Sequence, residues 1–151
     1  MKPKKYIEYY DGTKKKCREY YKLNDKYHRE DGPARIYYYE NGNIQYEYYY
    51  INGEWHRENG PARIYYDKNG NIQYEYYYIN GKCHREDGPS DIFYYENGNI
   101  SSEYYYINGN IQYEWYYING KELTKHEFNK YIRKRDSKIF DKLLEEMANE
   151  N

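Results

Sequence analysis

Hydrophobic and polar residues alternate with a period of two along residues 43–51 (NIQYEYYYI). Successive side chains of an extended strand point to opposite faces, so this alternation predicts a β-strand. One face receives Ile44, Tyr46, Tyr48 and Tyr50, and the other receives Gln45, Glu47, Tyr49 and Ile51. The predicted strand therefore has one aromatic, apolar face and one mixed face.

Asn-Gly pairs separate this strand from its neighbours. Residues 35–40 (RIYYYE) end at Asn41-Gly42, and the strand itself ends at Asn52-Gly53. Asn-Gly between β-forming segments is a strong hairpin signal, because a type I′ turn needs positive φ at both central residues. We expect a hairpin closed at Asn41-Gly42, a turn at Asn52-Gly53 and then a proline-closed loop at Arg57–Pro61.

The hairpin and the loop form a 28-residue cassette, which spans residues 41–68 and recurs almost letter for letter at 69–96. The array degenerates at both ends. Residues 13–18 (TKKKCR) replace the NGNIQY opening, and the HREDGP half is missing after Gly109. Such degenerate ends are typical of a capped repeat array.

A helix is predicted to begin at Thr124. Thr124 and Glu127 have the spacing of a capping box, and Leu123 and Phe128 have that of a hydrophobic staple. Helical spacing continues toward the C-terminus, with a break near Asp136-Ser137 that leaves open whether there is one helix or two. We expect the apolar side of this region to cover the last hairpin.

The patterns together predict a mainly β fold. It would be an elongated single-layer stack of antiparallel β-hairpin repeats with a C-terminal α-helical cap. We expect a degenerate N-terminal strand in residues 1–18, the repeat array in residues 19–121 and the helical cap in residues 122–151.

Composition adds limits on function. The net charge of -1 and the 28 tyrosines indicate an ordered chain whose apolar area is carried by tyrosine rings. The charge balance argues against a nucleic-acid binder, which normally has a basic excess. Residues 1–10 lack the apolar core of a secretory signal, and no run of about 18 apolar residues could cross a bilayer. We therefore expect an intracellular, cytoplasmic protein.

The repeated histidines and the two cysteines do not predict a metal, cofactor or catalytic site. Equivalent histidines (His28, His56 and His84) lie two or three strands apart, roughly 10 to 14 Å, which is too far to share one ion. We expect each histidine to bond within its own loop. Identical acid, base and cation sets in every cassette indicate fold maintenance, so no enzyme is predicted. Cys17 and Cys83 are not repeat equivalents, and we expect both to be reduced and partly buried.

Two groups of surface residues are candidates for binding. Consecutive tyrosines place rings on both sheet faces, and one face would form a broad surface for a protein partner or a second copy of the chain. The predicted exposed row consists of Tyr37, Tyr49, Tyr65, Tyr77 and Tyr105. The basic clusters that could contact anionic lipid are Lys14, Lys15 and Lys16, and Arg133, Lys134 and Arg135.

Four segments carry a resemblance to a known family. They are Asn80-Gly81-Lys82, His84-Arg85, Asp87-Gly88-Pro89 and the stretch at residues 94–98 (YYENG). In this combination they resemble MORN repeats, in a long divergent variant found in giant DNA viruses of amoebae, phages and some AT-rich bacteria. The resemblance covers residues 19–128, although MORN units usually span fewer residues and contain more glycine.

The resemblance implies an antiparallel sheet used for protein contacts, frequent self-association and, in some members, membrane or phosphoinositide binding. It also implies that a virus-encoded protein, acting in host cytoplasm or in a virion, is one candidate. Our functional hypothesis is a non-catalytic scaffold for protein interaction or assembly through tyrosine-rich sheet faces. The alternatives are peripheral binding to anionic membrane lipids and an antitoxin-like inhibitor, a label that some related bacterial repeats carry.

Overall fold

The computed structural model describes residues 1–118, 120–131, 133 and 134. Within these residues the chain forms fifteen β-strands and a short helix, α1, at residues 125–131, 133 and 134. The strands are β1 Lys4–Tyr9, β2 Lys16–Leu23, β3 Lys26–Tyr27, β4 Arg35–Tyr38, β5 Ile44–Tyr48, β6 Tyr50–Ile51, β7 Glu54–Trp55, β8 Arg63–Tyr66, β9 Ile72–Tyr76, β10 Tyr78–Ile79, β11 Lys82–Cys83, β12 Asp91–Tyr94, β13 Ile100–Ile107, β14 Asn110–Ile118 and β15 Lys121–Leu123.

Most strands belong to one open antiparallel sheet, which confirms the predicted mainly β fold of hairpin repeats. Its strand order is β1-β2-β4-β5-β8-β9-β12-β13-β14-β15, with β3 paired to β2. The short pairs β6–β7 and β10–β11 form separate two-stranded hairpins. Each complete cassette therefore contributes two long strands and one small hairpin.

The chain divides into two compact units, Met1–Glu114 and the part that begins at Trp115. In the second unit Tyr116 of β14 pairs with Leu123 of β15. The predicted capping box is confirmed, because the Thr124 N–H donates to Glu127 Oε2 at 2.9 Å and the Glu127 N–H donates to Thr124 Oγ1 at 3.3 Å. Phe128 of α1 packs on Tyr116 with ring centroids 4.8 Å apart. The question of a second helix concerns residues 135–151, which lie outside the described residues.

The expected segment boundaries fall inside strands. The boundary after residue 18 lies within β2, and the boundary after residue 121 lies within β15.

One face of the sheet carries a row in which isoleucine and glutamate alternate directly opposite each other across eight strands. The row arises because every cassette adds one strand with an isoleucine and one with a glutamate at the same register. Its members, in strand order, are Ile7, Glu19, Ile36, Glu47, Ile64, Glu75, Ile92 and Glu103. Ile36, Ile64 and Ile92 are buried, so we call this the isoleucine face.

The other face, which we call the ring face, carries two adjacent rows of directly opposed residues. The first row is Arg18, Tyr37, Tyr46, Tyr65, Tyr74, Phe93 and Ser102. The second row is Tyr20, Arg35, Tyr48, Arg63, Tyr76, Asp91 and Tyr104. The second row thus alternates tyrosine with arginine until the third cassette, where aspartate replaces arginine.

The two kinds of Asn-Gly pair form different turns. Asn52 and Gly53 have φ of 53° and 88° between the paired residues Ile51 and Glu54, as a type I′ turn requires. The type I′ prediction for Asn41-Gly42 is wrong. There the Gly42 N–H donates to the Tyr39 carbonyl at 2.9 Å and only Gly42, with φ of 91°, is left-handed among residues 39–43.

The reason for the difference is loop length. The Tyr39 N–H donates to the Asn43 carbonyl at 2.9 Å, which encloses three residues rather than two. Such loops combine a type I turn with one left-handed residue and a bulge, and the ladder does shift register between Tyr37 and Tyr38. Asn41 instead stabilises the turn through its side chain, whose Oδ1 accepts a hydrogen bond from the Asn43 N–H at 3.0 Å.

The strand predicted over residues 43–51 is interrupted at Tyr49. Its N–H donates to the Ala62 carbonyl at 2.8 Å, and its carbonyl accepts from the His56 N–H at 3.2 Å. Tyr49 is therefore the point at which the chain leaves the large sheet and enters the β6–β7 hairpin.

Candidate functional site: the ring face

Aromatic rings contact one another continuously along the first row of the ring face. Tyr65 is the centre of the best-connected group, with ring centroids 4.9 Å from Tyr46 and 5.8 Å from Tyr48 and Tyr74. Phe93 extends the series at 5.3 Å from Tyr74 and 5.5 Å from Tyr104. Most of these pairs are edge-to-face, an arrangement that aromatic quadrupoles favour.

A second series of rings runs beside the first and includes the small hairpins. Its consecutive centroid distances lie between 5.2 and 6.0 Å. The members are Tyr20, Tyr27, Tyr50, Trp55 and Tyr78. The β6–β7 hairpin thus delivers Tyr50 and Trp55 to the same face as the rings of the large sheet.

Arginines bridge the two series of rings. The Arg35 guanidinium lies 4.5 Å from the Tyr27 ring centroid and 5.1 Å from that of Tyr37. Arg63 repeats the arrangement, 4.4 Å from Trp55 and 5.0 Å from Tyr76. Each arginine also donates to a phenol oxygen, Arg35 to Tyr37 and Arg63 to Tyr65. Cations held against rings away from water contribute more than exposed ones.

Burial raises the pKa of two phenols in the second row of this face. It raises the pKa of Tyr76 to about 12. Burial also raises the pKa of Tyr48, and the hydrogen bond between the Tyr48 and Tyr65 hydroxyls, 3.2 Å long, adds to the effect. Tyr48 and Tyr76 therefore hold their phenol protons more tightly than free tyrosine does, beside the guanidinium groups of Arg35 and Arg63.

The third cassette breaks the arginine pattern in two coordinated positions. Asp91 stands where Arg35 and Arg63 stand, and Cys83 stands where Tyr27 and Trp55 stand. The Cys83 thiol donates to Asp91 Oδ1 at 2.9 Å, and burial raises the pKa of both groups. The arginine-to-ring contact is replaced here by a thiol-to-carboxyl contact.

The five tyrosines predicted to form one exposed row lie on two faces. Tyr37 and Tyr65 belong to the ring face. Tyr49, Tyr77 and Tyr105 lie on the isoleucine face, where the charges of Glu47, Glu75 and Glu103 respectively raise their pKa values after the larger effect of burial. The split follows from the loops: residue 37 pairs with Tyr46, three residues before Tyr49, and therefore points to the opposite side.

The His-Arg loops are structural elements of the isoleucine face. Arg57 and Arg85 stack on Tyr49 and Tyr77 at 3.9 and 4.1 Å. Arg85 pairs with Asp87 at 2.8 Å and donates to the Pro89 carbonyl at 3.2 Å. Arg57 makes the equivalent bond to the Pro61 carbonyl at 3.1 Å, with Asn59 in the position of the aspartate.

The glycine of each loop makes room for this arginine. A Cβ at Gly32 or Gly88 would lie 3.0 Å from the guanidinium carbon of Arg29 or Arg85. Open grooves of about 570 and 580 Å³ remain between successive loops.

The histidines contact their own loop, as predicted, and also join neighbouring cassettes. Nε2 of His28, His56 and His84 lies 3.5, 4.0 and 3.7 Å from the carboxylates of Glu30, Glu58 and Glu86 in the same loops. Nδ1 of His28 accepts from the backbone N–H of Asn52 at 3.1 Å, and His56 and His84 make the same bond to Asn80 and Asn108. The left-handed asparagine of the next turn directs its N–H toward the ring. Across the described part of the chain, no group of three or more His, Cys, Asp or Glu side chains could hold a metal ion.

The remaining predicted residues are placed as follows. Lys14, Lys15 and Lys16 are exposed, and Lys16 donates to Glu19 at 3.2 Å. In the second unit Arg133 and Lys134 are exposed, while Arg135 lies outside the described residues. Cys17 and Cys83 are free and half-buried, as predicted.

Comparison with known proteins adds nothing to this geometry. No protein-family model, curated protein or solved structure matches the chain. The likeness to MORN repeats therefore stays a prediction. In addition, no helix among the described residues is long and apolar enough to cross a membrane.

Sequence reasoning missed the arginines of the ring face. Arg18, Arg35 and Arg63 were not among the candidate residues, although the alternation of tyrosine and arginine is visible once strands are aligned in register. The missing information was the three-residue loop at Asn41-Gly42, which fixes which tyrosine lies opposite which arginine.

Proposed function

We propose that this protein is a non-catalytic interaction scaffold that binds a protein partner through the ring face. The proposal rests on one observation: tyrosines and arginines keep one register from β2 to β9, and the rings continue through Phe93 of β12 to Tyr104 of β13. Tyrosine and arginine side chains are enriched at the energetic centres of protein interfaces. Tyrosine offers a large contact area at little entropic loss, and the arginines here are already held against rings. A periodic partner, or several copies of one partner, would meet equivalent side chains at the β4–β5 and β8–β9 hairpins.

The chemistry of the face favours an acidic partner with apolar side chains. Arg35 and Arg63 contact rings and phenol oxygens, and among the described residues neither forms an ion pair with a carboxylate. A carboxylate from a partner would accept hydrogen bonds from these guanidinium groups. Charge-assisted hydrogen bonds of that kind are the strongest in proteins. Membership of a MORN-like family and a cytoplasmic location are parts of this proposal.

A second candidate is binding to anionic membrane lipid through the lysines before β2. The supporting observation is that Lys14 and Lys15 are exposed beside each other. Each basic residue near an anionic surface contributes about 1 kcal/mol, and this attraction is screened by salt. A ring-face interface is less sensitive to salt, so ionic strength separates the two candidates.

The test is capture of proteins and lipids from source cells by the tagged chain at low and high salt. The ring-face variant is Tyr74→Ser, because Tyr74 is 36% exposed and its loss leaves the strand in place. We expect it to weaken capture of the partner about tenfold or more, as loss of an interface hot spot does. The matched control is Tyr77→Ser, three residues along on the isoleucine face, which should retain the partner.

Either of two results would overturn the ring-face proposal. Equal loss of the partner in both variants would show that the ring face is not the interface. Recovery of anionic lipid alone, only at low salt and only with Lys14 and Lys15 intact, would assign the membrane function instead.

A further inference from the structure

Equivalent rings of the ring face recur once per cassette, with one strand between successive members. One series lies on β2, β5, β9 and β13, and the other lies on β4, β8 and β12. Neighbouring strands are about 4.8 Å apart, so each series has a step of about 9.6 Å, and four rings span about 29 Å. The members are Tyr20, Tyr48, Tyr76 and Tyr104 in the first series and Tyr37, Tyr65 and Phe93 in the second.

The step of the ring face matches the repeat of one regular peptide conformation. A polyproline II helix has three residues per turn and rises 3.1 Å per residue, so the same edge returns about every 9.3 Å. A heptad of α-helix rises about 10.5 Å and is out of step by almost 3 Å after three cassettes. Side chains on one face of a β-strand recur about every 6.7 Å. Of the three, the polyproline II helix keeps one residue per cassette along the whole row.

The chemistry of the ring face also suits a polyproline II segment. The rings of both series are half-buried, so each leaves part of its surface open to solvent. Aromatic surfaces of this kind bind proline-rich segments, because such a segment is already extended and loses little entropy on docking. The backbone of a polyproline II helix has no internal hydrogen bonds, so its carbonyls are available to phenol and guanidinium donors.

The arginines of the ring face determine where the partner carries acidic residues. Arg35 and Arg63 occupy equivalent positions on β4 and β8, and among the described residues neither forms an ion pair with a carboxylate. An acidic residue in every third position of the partner would meet one arginine per cassette. At the next equivalent position, on β12, Asp91 replaces the arginine. Acidic residues are therefore favoured at two successive steps and disfavoured at the third.

We propose that the partner of the ring face is a polyproline II segment of about nine residues that runs across the strands. One proline edge of the segment lies over the rings, and a second edge presents an acidic residue to Arg35 and to Arg63. The inference rests on the proposed function, because it names the class of partner that the same face binds.

The experiment is calorimetric titration of the full chain with capped peptides that contain one to four Pro-Pro-Glu triplets. Each added triplet, up to three, should lower Kd about fivefold, because it contacts one more ring. A fourth triplet should change Kd little, since three triplets already span about 28 Å. A nine-residue peptide with the same six prolines and its three glutamates together at one end is the control, and it should bind at least about fivefold more weakly than the periodic peptide.

Single replacements in the three-triplet peptide test the match to the arginines. The middle acid faces Arg63 whichever way the peptide runs, so a Gln in its place should raise Kd about fivefold. One terminal acid faces Arg35 and the other faces Asp91. Gln should therefore weaken binding at one end of the peptide and leave it unchanged or stronger at the other.

Two variants of the protein locate the peptide. Tyr74→Ser on the ring face should raise Kd of the three-triplet peptide about fivefold, as loss of one ring contact does. Tyr77→Ser on the isoleucine face should leave Kd unchanged. Urea unfolding of both variants verifies that they fold, and the peptide series on the wild-type chain does not depend on either variant.

Three results would overturn the inference. The three-triplet peptide could fail to bind at millimolar concentration, the aperiodic control could bind equally well, or Tyr77→Ser could weaken binding as much as Tyr74→Ser does. The proposed function is decided separately, by capture from source cells. A partner that depends on Tyr74 but is not matched by any peptide of the series would leave the ring-face function standing and reject the polyproline II partner.

Discussion

At the scale of single residues, the most informative site is the one where a cassette departs from its own rule. Arg63 stacks on Trp55, whereas the equivalent pair in the next cassette is Asp91 with Cys83. Burial raises the pKa of Asp91, which means that the folded chain disfavours the carboxylate at this position. A raised acid pKa removes stability as pH rises from the unfolded value toward the folded value.

Restoring the repeat should therefore stabilise the protein. We expect the double variant Cys83→Trp, Asp91→Arg to be more stable than wild type by about 0.5–2 kcal/mol, as consensus substitutions are. The two changes should couple favourably by about 1 kcal/mol, because the arginine needs the indole to stack on. Urea unfolding of the double variant and both single variants measures this coupling.

The dependence on pH supplies the control. Below the unfolded pKa of aspartate the wild-type carboxyl is neutral, so the advantage of the double variant should shrink there and grow toward neutral pH. An advantage that is constant between pH 3.5 and 7 would contradict the account of Asp91.

At the scale of elements, the Asn-Gly dipeptide forms two different types of turn, at Asn41-Gly42 and at Asn52-Gly53. Substitutions of the asparagine should distinguish the two types. Asn52 has a φ of 53°, so Ala there should cost about 1–2 kcal/mol while Gly is nearly neutral. Asn41 lies in a type I turn, where Gly adds backbone entropy and should cost about 0.5–1 kcal/mol more than Ala. Urea midpoints of the Ala and Gly variants at both positions test this: the Gly variant should be the more stable one at position 52 and the Ala variant at position 41. The same order of stability at both positions would refute the turn assignment.

Strands, cassettes and the helix start could be predicted from sequence because their signals are local. Alternation placed β5 and β9, and the spacing of Thr124 and Glu127 placed the start of α1. The sequence did not predict which residues of distant strands lie on the same face of the sheet. A three-residue loop in place of a two-residue loop changes that register, so Tyr37 joined Tyr46 rather than Tyr49. The ring-face arginines were missed for the same reason.

At the scale of the whole molecule, identical registers make the cassettes interchangeable. The row of alternating isoleucine and glutamate passes through three successive hairpins without a change of offset. The histidine bond is likewise the same at each step, from His28 to Asn52 and from His56 to Asn80. Stability of such an array is approximately a sum of repeat and nearest-neighbour terms.

Removing one cassette should therefore leave a folded protein. Deletion of residues 41–68 joins Glu40 to Asn69, which recreates the same E-NGNIQYE sequence and allows β4 to pair with β9 in the register of β8. We expect cooperative urea unfolding with a slope about a fifth smaller, in proportion to the 28 of 151 residues removed. Deletion of residues 41–54 is the control, because it removes one long strand. Every later strand would then run in the opposite direction in the sheet, and two isoleucine strands would lie side by side. That chain should not fold cooperatively. If both deletions behave alike, the register shared by the cassettes is not what holds the sheet together.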